Sequence, residues 1–317
     1  MSYYINSTSF NPYENIALEK YLFDTFDGTP ILYLWQNKKT VVIGKWQNIY
    51  EECNLEEMKK LDVLPARRYT GGGAVYHHLG NLNFTFIVAP SIYDVKKQSS
   101  VILNALLNLG IKANFSGRND LEYEGKKFSG NAFLEQKHAC LHHGTILINE
   151  NKDIITKVLN PKPSKLETKG VKSVKSRIIN LAEIIPNINI DDIKQEILSS
   201  FEETYGHSKP INIEQSLYAP LAKSLSSAEW LYGKSPTYNF RVSGRTSIGE
   251  MDFYVKLEND LIAKIKIFSD ILDANMVPVI ENLLSNTLLK DVESTLSQLS
   301  SLGTEIATIL RSNNLTM

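Results

Sequence analysis

Hydrophobic and polar residues follow two periods along the chain, one typical of helices and one typical of strands. Apolar side chains spaced by three or four positions predict helices at about residues 12–26, 93–109, 191–205 and 227–232. Apolar runs and alternating segments predict strands at 31–35, 40–44, 120–123, 131–135 and 145–148. Because helices and strands do not alternate regularly, we predict an α+β fold with a mixed, largely antiparallel sheet and flanking helices.

The last quarter of the chain has its own pattern and composition. From residue 247 onward, ten acidic residues oppose five basic ones. Two alternating segments, 250–257 and 261–268, are joined by a hairpin-like connection at 258–260 and precede two amphipathic helices. We therefore predict two domains, a large one at 1–241 and a small α+β accessory domain at 242–317.

The bulk composition narrows the class of protein. The chain of 317 residues has 43% hydrophobic residues and a net charge of −1, which is typical of a globular protein and argues against a nucleic-acid partner. Two cysteines indicate a reducing compartment without a disulfide framework. We find no signal peptide and no membrane-spanning run, so we expect a cytoplasmic protein without a membrane partner.

A run of three glycines is the most informative motif. Gly71-Gly72-Gly73 lies between a pair of cations, Arg67-Arg68, and a strand-like run that ends at Ile87. Consecutive glycines lose much conformational entropy on folding and suit a place where a ligand approaches the main chain. Exposed amide groups beside guanidinium groups suit a phosphate or carboxylate. A tight turn between two strands is the alternative, and neither a Walker loop nor a dinucleotide motif matches.

A second segment places a lysine beside a turn. Residues 120–132 contain a short strand, a turn at Glu124-Gly125 and a strand that starts with Lys126-Lys127. Neighbouring residues of a strand lie on opposite faces, so we predict that one of the two lysines points inward. Asp120 is close enough in sequence to lie across the hairpin from that lysine, and a surface salt bridge is the plain alternative.

Histidine and cysteine side chains give weaker signals. His77-His78 and His142-His143 lack a metal-binding spacing, and we predict that one histidine of each pair is buried and hydrogen-bonded. Cys140 precedes His142 by two residues, but nothing adjacent stabilises a thiolate, so we do not expect a cysteine nucleophile. Residues 152–177 are rich in lysine and interrupted by prolines, which predicts a mobile basic loop, either an ordinary surface segment or a lid.

Six motifs in this order resemble one family, the two-domain bacterial lipoate–protein ligases, which are related to biotin protein ligases. The match runs from about residue 10 to the C-terminal tail and includes a linker with Trp230, Gly233 and Pro236. The motifs are Arg67-Arg68-x-Thr70-Gly-Gly-Gly-Ala-Val-Tyr76-His77, Leu79-Gly-Asn81, Gly117-Arg-Asn-Asp-Leu121, Lys127-x-Ser-Gly130-x-Ala132, His142-His-Gly-Thr145 and Lys172-Ser-Val-x-Ser-Arg177.

The resemblance implies a fold, an activity and partners. The fold is a core shared with class II aminoacyl-tRNA synthetases. The activity takes two steps: lipoate and ATP, with Mg²⁺, form lipoyl-AMP and pyrophosphate, and the lipoyl group then passes to a lysine of an acceptor protein. The implied acceptors are the lipoyl domains of the E2 subunits of 2-oxoacid dehydrogenases and the glycine cleavage H protein. Lipoate is a substrate, and no prosthetic group is implied.

The resemblance also implies roles for individual residues. Lys127 is the implied catalytic residue, because it would bridge the lipoate carbonyl and the α-phosphate. Asp120 is a candidate metal ligand or orienting group, and the basic loop would close over the adenylate. The implied adenylate-binding residues are Arg68, Gly73, Ala74, Val75, Tyr76 and Lys127. The implied lipoate-binding residues are Lys127, Gly72 and His77, with Val75, Phe84, Phe86 and Phe133 lining the dithiolane slot.

Three positions depart from the family pattern. Thr70 replaces an expected serine and keeps the hydroxyl group. His78 stands where an aspartate is common, and Leu134 stands where some members carry arginine. These two changes weaken a metal role at 78 and a second guanidinium contact at 134.

Three other functions compete with the ligase interpretation. An ATP-independent octanoyl- or lipoyltransferase would share the fold, although the C-terminal domain favours the ligase. A biotin protein ligase is disfavoured because we find no Gly-Arg-Gly-Arg-type loop. A nonenzymatic lipoate-binding protein would keep its function without Lys127.

Overall fold

The structure is a computed structural model that describes residues 1–116, 119–160, 177–233 and 238–312. Strands are numbered in chain order. They are β1 (Ser2–Asn6), β2 (Ile31–Trp35), β3 (Thr40–Ile43), β4 (Leu64–Arg67), β5 (Val75–His77), β6 (Asn81–Val88), β7 (Asn114–Ser116), β8 (Asp120–Tyr123), β9 (Lys126–Glu135), β10 (Cys140–Leu147), β11 (Ser208–Pro210), β12 (Phe240–Thr246), β13 (Gly249–Glu258), β14 (Leu261–Ser269) and β15 (Thr287–Leu288).

Helices flank these strands. They are α1 (Pro12–Asp24), α2 (Ile49–Glu52), α3 (Leu55–Lys60), α4 (Val95–Asn108), α5 (Lys152–Val158), α6 (Ile190–Tyr205), α7 (Gln215–Leu225), α8 (Ala228–Tyr232), α9 (Met276–Leu284), α10 (Val292–Leu296) and α11 (Ser300–Ser312). Many begin at an asparagine or aspartate whose side chain accepts a backbone N–H, as Asn11 does for α1 and Asp94 for α4. Within the described residues, no helix is both long and apolar enough to cross a membrane.

The largest sheet has eight strands in the order β11-β1-β2-β6-β10-β9-β8-β7. The pairs at one edge, β11 with β1 and β1 with β2, are parallel, and the remaining pairs are antiparallel. Alternation along the strands sends side chains to two cores. On β6, Phe84 and Phe86 pack in the core that contains residues of α4 and α6, whereas Tyr33 of β2 packs in the core that contains residues of α1.

Two smaller sheets complete the fold. Strands β4-β3-β5 form a three-stranded sheet, and the glycine run lies between β4 and β5. Strands β12-β13-β14-β15 form an antiparallel sheet that packs with α9, α10 and α11 around its own core. The hairpin between β13 and β14 turns at Asn259 and Asp260, which both have positive φ angles. Both residue types tolerate this region, which explains a tight connection without glycine.

The α+β class and the mixed, largely antiparallel sheet are confirmed. The predicted helix at 12–26 is α1, and the predicted hairpin at 250–268 is β13 and β14. The prediction of a loop over 152–177 is wrong at its start, because Asn151 caps α5 and Ile155 and Val158 are buried. Residues 161–176 of that segment lie outside the described residues. The domain boundary at 241/242 stays a prediction; it falls within β12.

Candidate active site

A cavity of about 130 Å³ opens between the glycine run and the hairpin that carries Lys127. Its wall combines main chain, cationic groups and apolar side chains. The lining residues are Trp35, Val42, Arg68, Gly72, Gly73, Ala74, Val75, His77, Asn83, Asn119, Lys127, Gly130, Asn131, Ala132, His143, Gly144 and Thr145. Seven of the nine predicted site residues therefore share one cavity, and Tyr76 and Asp120 are not among its lining residues.

Lys127 lies near the start of β9 and lines this cavity. Its ammonium Nζ is 2.7 Å from Oδ1 of Asp120 on β8, which confirms the predicted proximity across the hairpin. A Cβ at Gly130 would lie 2.7 Å from Nζ, so the missing side chain leaves the room that the ammonium group needs. Lys126 is exposed. The expectation that one of the two lysines points inward is thus confirmed for Lys127.

The backbone of Lys127 is held from both sides. On one side β9 pairs with β8, where Lys127 lies opposite Glu122. On the other side the Lys127 N–H donates to the carbonyl of Arg177 (2.8 Å), and the Ile179 N–H donates to the carbonyl of Lys127 (2.9 Å). The C-terminal end of the basic segment is therefore hydrogen-bonded directly to the residue that carries the ammonium group.

Arg68 organises the glycine run from inside. Its side chain donates to the carbonyls of Gly71 (2.6 Å), Gly73 (2.8 Å) and Val42 (3.1 Å) and to the hydroxyl of Thr70 (3.0 Å). Burial lowers the pKa of this guanidinium to about 10, which leaves it charged at neutral pH. Most of its donors hold the loop, so few remain for a ligand. Arg67 is also buried, and it donates to main-chain carbonyls that include Gln47 and Leu231.

A buried polar relay runs from the glycine run to α1. Thr70 Oγ1 accepts from Arg68 and lies 2.9 Å from His143 Nε2, within hydrogen-bond distance. His143 Nδ1 in turn lies 2.8 Å from Oε1 of Glu19, which also accepts from Thr85 at 2.6 Å. Glu19 is 3% exposed, so this relay places a carboxylate beneath the cationic cavity wall. A buried charge of this kind is stable only when paired and hydrogen-bonded.

The segment that follows β14 contacts the glycine run. The Gly72 N–H donates to the carbonyl of Ile271 at 2.9 Å. A Cβ at Gly71 would lie 2.1 Å from the Ile271 carbonyl oxygen and 2.5 Å from that of Leu272. The expectation of exposed glycine amides is therefore wrong for Gly72, whose amide is taken by the C-terminal part of the chain. Gly71 is required here by the close approach of another backbone.

Of the four residues predicted to line the apolar slot, Val75 lines this cavity and the three phenylalanines do not. Val75 lines the cavity, but Phe84 and Phe86 are fully buried in the core on the opposite face of β6. The alternation of the strand explains the error, because the intervening Asn83 faces the cavity instead. Phe133 lines a separate cleft of about 260 Å³ with Leu134 and residues 272–275.

The other residues that the sequence singled out are His142, His143 and Cys140. His142 is buried and hydrogen-bonded as predicted for one histidine of this pair, and His143 on the opposite face of β10 is buried and hydrogen-bonded as well. Burial raises the pKa of Cys140, which argues against a thiolate there, as expected.

In the described part of the chain, no three His, Cys, Asp or Glu side chains converge to hold a metal ion.

Sequence patterns missed several polar side chains around the cavity. They are Glu19, Asn37, Asn83 and Asn131. The signal that was available is a polar residue inside an apolar period, such as Glu19 in α1 and Asn83 in β6. Buried polar groups of this kind are hydrogen-bonded and have a specific reason to be there.

Fold and cavity together define a class. A mixed sheet carries a cavity whose wall combines glycine main chain, one ammonium group, one buried guanidinium group and apolar side chains. Such a site suits an acyl group whose carboxylate is handled by cations. This is the arrangement expected of an acyl-activating or acyl-transferring protein.

Comparison of the sequence with known proteins shows which family it belongs to. Residues 11–202 match the lipoyl protein ligase A/B catalytic domain, and residues 235–312 match the bacterial lipoate protein ligase C-terminus. The lipoate–protein ligase A of Psychrobacter cryohalolentis is 37% identical over 297 residues, covering 89% of this chain and 87% of that protein. The chain belongs to the lipoate–protein ligase family.

Solved structures agree with this assignment. P. falciparum LipL1 in complex with lipoate matches with a TM-score of 0.86 and 31% identity, over 97% of this chain and 98% of that one. A lipoate–protein ligase A bound with ATP matches with a TM-score of 0.64 and 28% identity, over 74% and 99%. The bipartite ligase of Thermoplasma acidophilum, studied with its E2 lipoyl domain, matches with 0.65 and 28%, over 75% and 99%.

Proposed function

We propose that this protein is an ATP-dependent lipoate–protein ligase that forms lipoyl-AMP and transfers the lipoyl group to a lysine of an acceptor protein. The observation that carries the proposal is the Lys127 ammonium group at the wall of a cavity whose opposite wall is the glycine run. The bound lipoate and bound ATP of the two related structures support the choice of substrates. The acceptors that we propose are E2 lipoyl domains and the glycine cleavage H protein.

In the first step, the lipoate carboxylate attacks the α-phosphorus of ATP, and pyrophosphate leaves. Two anions approach each other in this step, so catalysis depends on fixed positive charge between them. We propose that Lys127 supplies this charge and that the main chain from Gly73 to Tyr76 holds the adenylate. Asp120 keeps the ammonium group in place through the 2.7 Å contact.

In the second step, the amine of the acceptor lysine attacks the lipoyl carbonyl, and AMP leaves. Lys127 polarises the carbonyl oxygen as charge develops on it. The backbone bonds of Lys127 to Arg177 and Ile179 connect this residue to the end of the basic segment. We propose that this segment covers the adenylate, which protects the mixed anhydride from water.

We propose that Mg²⁺ enters this site bound to the phosphates of ATP and not at a site made of protein ligands alone. Mg²⁺ is commonly bound by one or two carboxylates together with substrate phosphates. Asp120, which contacts the cavity-lining Lys127, is the candidate carboxylate, and the described residues contain no cluster of three metal-binding side chains. The ion would neutralise phosphate charge, while Lys127 and the glycine run orient the acyl and phosphoryl groups.

The test is release of pyrophosphate from ATP, measured with and without lipoate. The proposal predicts release that depends on lipoate and disappears in the Lys127→Ala variant. An ATP-independent transferase would show no such release but would transfer an octanoyl or lipoyl group from an acyl-carrier protein. A nonenzymatic binding protein would bind lipoate equally well with and without Lys127.

A further inference from the structure

A buried histidine in the cavity wall has one ring nitrogen held and the other without a partner. His77 is 3% exposed and lines the cavity. Its Nδ1 lies 3.1 Å from Nδ2 of Asn37. Its Nε2 is buried and has no hydrogen-bond partner among the described residues. A buried polar atom without a partner requires an explanation, and at a cavity wall a ligand is the direct one.

The orientation of Asn37 follows from its neighbours. Asn15 directs its amide Nδ2 at the main-chain carbonyls of Ser9 (3.0 Å) and Gln36 (2.8 Å), which can only accept. The same nitrogen lies 3.0 Å from the side chain of Asn37. A second amide nitrogen there would place donor against donor, so Asn37 presents its oxygen to Asn15 and its Nδ2 to His77.

The amide oxygen of Asn15 is also hydrogen-bonded. Its Oδ1 accepts from the hydroxyls of Ser7 (2.6 Å) and Tyr33 (3.0 Å). Asn15, Asn37 and Tyr33 are each 1% exposed or less. Two main-chain carbonyls at one end and two hydroxyls at the other therefore fix both amides in one orientation.

The tautomer of His77 follows. Asn37 offers Nδ1 a donor, so Nδ1 must accept and the single proton of the neutral ring lies on Nε2. Burial, with the nearby charges of Arg68 and His143, lowers the pKa of His77 to about 3, so the ring is neutral near pH 7. The ring nitrogen without a partner in this cavity-lining residue is thus an N–H donor.

We propose that Asn37 is a positioning residue, which fixes His77 in the tautomer whose Nε2–H donates to a carboxyl oxygen of the acyl substrate. This inference rests on the proposed function, because lipoate is the substrate concerned. Carboxyl oxygens are strong acceptors, whereas the dithiolane sulfurs are weak ones. His77 therefore recognises the polar end of the substrate, and Asn37, which lies behind it, acts through the ring.

The first test is the ¹⁵N NMR spectrum of the imidazole rings in the unliganded full-length protein. The chain has six histidines, and the His77→Gln variant identifies the resonances of His77 by their disappearance. We expect a protonated Nε2 and an unprotonated Nδ1 at neutral pH. A protonated Nδ1 would overturn the inference whatever the enzyme does with lipoate.

The second test is the Asn37→Asp variant, which changes the donor to His77 into an acceptor at nearly constant volume. We expect the proton of the neutral ring to move to Nδ1 and the lipoate dissociation constant to rise about ten- to a hundredfold. As the pH falls and the ring of the variant becomes doubly protonated, Nε2–H returns and affinity should recover. Apart from the introduced carboxyl group, the titratable groups that act on the ring are Arg68 and His143, and both are unchanged.

Asn189→Asp is the matched control, because Asn189 caps α6 and either residue caps a helix well. It should bind lipoate as the parent protein does. Unchanged affinity in Asn37→Asp, or a loss that does not respond to pH, would overturn the positioning role. If the parent protein bound no lipoate, the proposed function would fail together with this inference, whereas a wrong tautomer alone would leave the proposed function standing.

Discussion

The Lys127 side chain lies at the cavity, whereas that of its neighbour Lys126 does not. Lys127 lines the cavity beside Asp120, while Lys126 is exposed one residue earlier on the same strand. We predict that Lys127→Ala folds with unchanged melting temperature and loses at least about a hundredfold to a thousandfold in lipoyl-AMP formation, as expected for a removed transition-state contact. Single-turnover formation of lipoyl-AMP measures this.

Lys126→Ala is the control for this prediction, because it removes the same charge from the opposite face. Its rate should stay within about twofold of the parent rate, as expected when no contact with the reacting groups is lost. Equal losses in the two variants would indicate that general positive charge, and not one placed ammonium group, supports the reaction.

Glu150 gives a prediction about stability and pH. It is 4% exposed, and burial raises the pKa of its carboxyl group to about 7. Since the folded pKa exceeds the ordinary value of about 4.5, its contribution is fully present below that value and is lost as the pH rises through 7. Glu150→Gln keeps an acceptor for the His78 N–H and should remove a loss of about 3 kcal/mol between acid and neutral pH.

Urea unfolding of both proteins across this pH range measures the effect. The variant should gain stability relative to the parent as the pH rises from about 5 to about 8. The histidines that burial keeps neutral, His77 and His142, act in the opposite direction but are the same in both proteins. Parallel stability curves would show that Glu150 titrates normally in the folded state.

At the scale of elements, the contact between the glycine run and segment 270–275 should be sensitive to a single substitution. A side chain at Gly71 would overlap the backbone carbonyls of Ile271 and Leu272, and backbone atoms cannot move aside as a flexible side chain can. We predict that Gly71→Ala separates segment 270–275 from the glycine run. Hydrogen exchange of the amides in that segment should accelerate about tenfold or more, because a local opening then requires less free energy.

Gly130→Ala is the matched control for exchange in this segment. Its added Cβ would meet only the flexible end of the Lys127 side chain. Exchange in segment 270–275 should therefore remain at the parent rate. Acceleration in both variants, or in neither, would contradict a specific contact between the glycine run and segment 270–275.

The sequence predicted elements and motifs well because their signals are local. The helical spacing of α1 and the alternation of β13 and β14 depend on neighbouring residues only, and both elements are present. Lys127 and Asp120 were also predictable, because one short hairpin brings them together. Tertiary contacts override or extend such signals elsewhere, as in α5, where burial of Ile155 favours a helix over the predicted loop.

The unpredicted features depend on residues that are distant in sequence. The relay from Thr70 through His143 to Glu19 joins β10, α1 and the glycine run. The face of β6 that meets the cavity depends on strand phase, and a shift of one residue exchanges Phe84 for Asn83. No periodicity in a single sequence contains that information.

At the scale of the whole molecule, the C-terminal part of the chain contacts the N-terminal part at several points. The Ser269 N–H donates to the Trp46 carbonyl (2.9 Å), and Trp46 Nε1 donates to the Ala274 carbonyl (2.7 Å). Together with the bond from Gly72 to Ile271, these contacts place the C-terminal part beside the cavity. We propose that residues 242–317 act as a cover for adenylate formation.

A chain that ends after residue 237 tests this role, since it removes β12 entirely. We predict a larger loss in lipoyl-AMP formation than in transfer from lipoyl-AMP supplied ready-made. Equal losses in both half-reactions, measured by pyrophosphate release and by acceptor modification, would contradict the covering role.

The most direct measurement is the intact mass of an E2 lipoyl domain after incubation with this protein, ATP and lipoate. We predict a mass increase equal to one lipoyl group on a single lysine, and none when ATP is omitted or when Lys127 is replaced by alanine. Modification that proceeds without ATP, or that persists in the Lys127→Ala variant, would contradict the account.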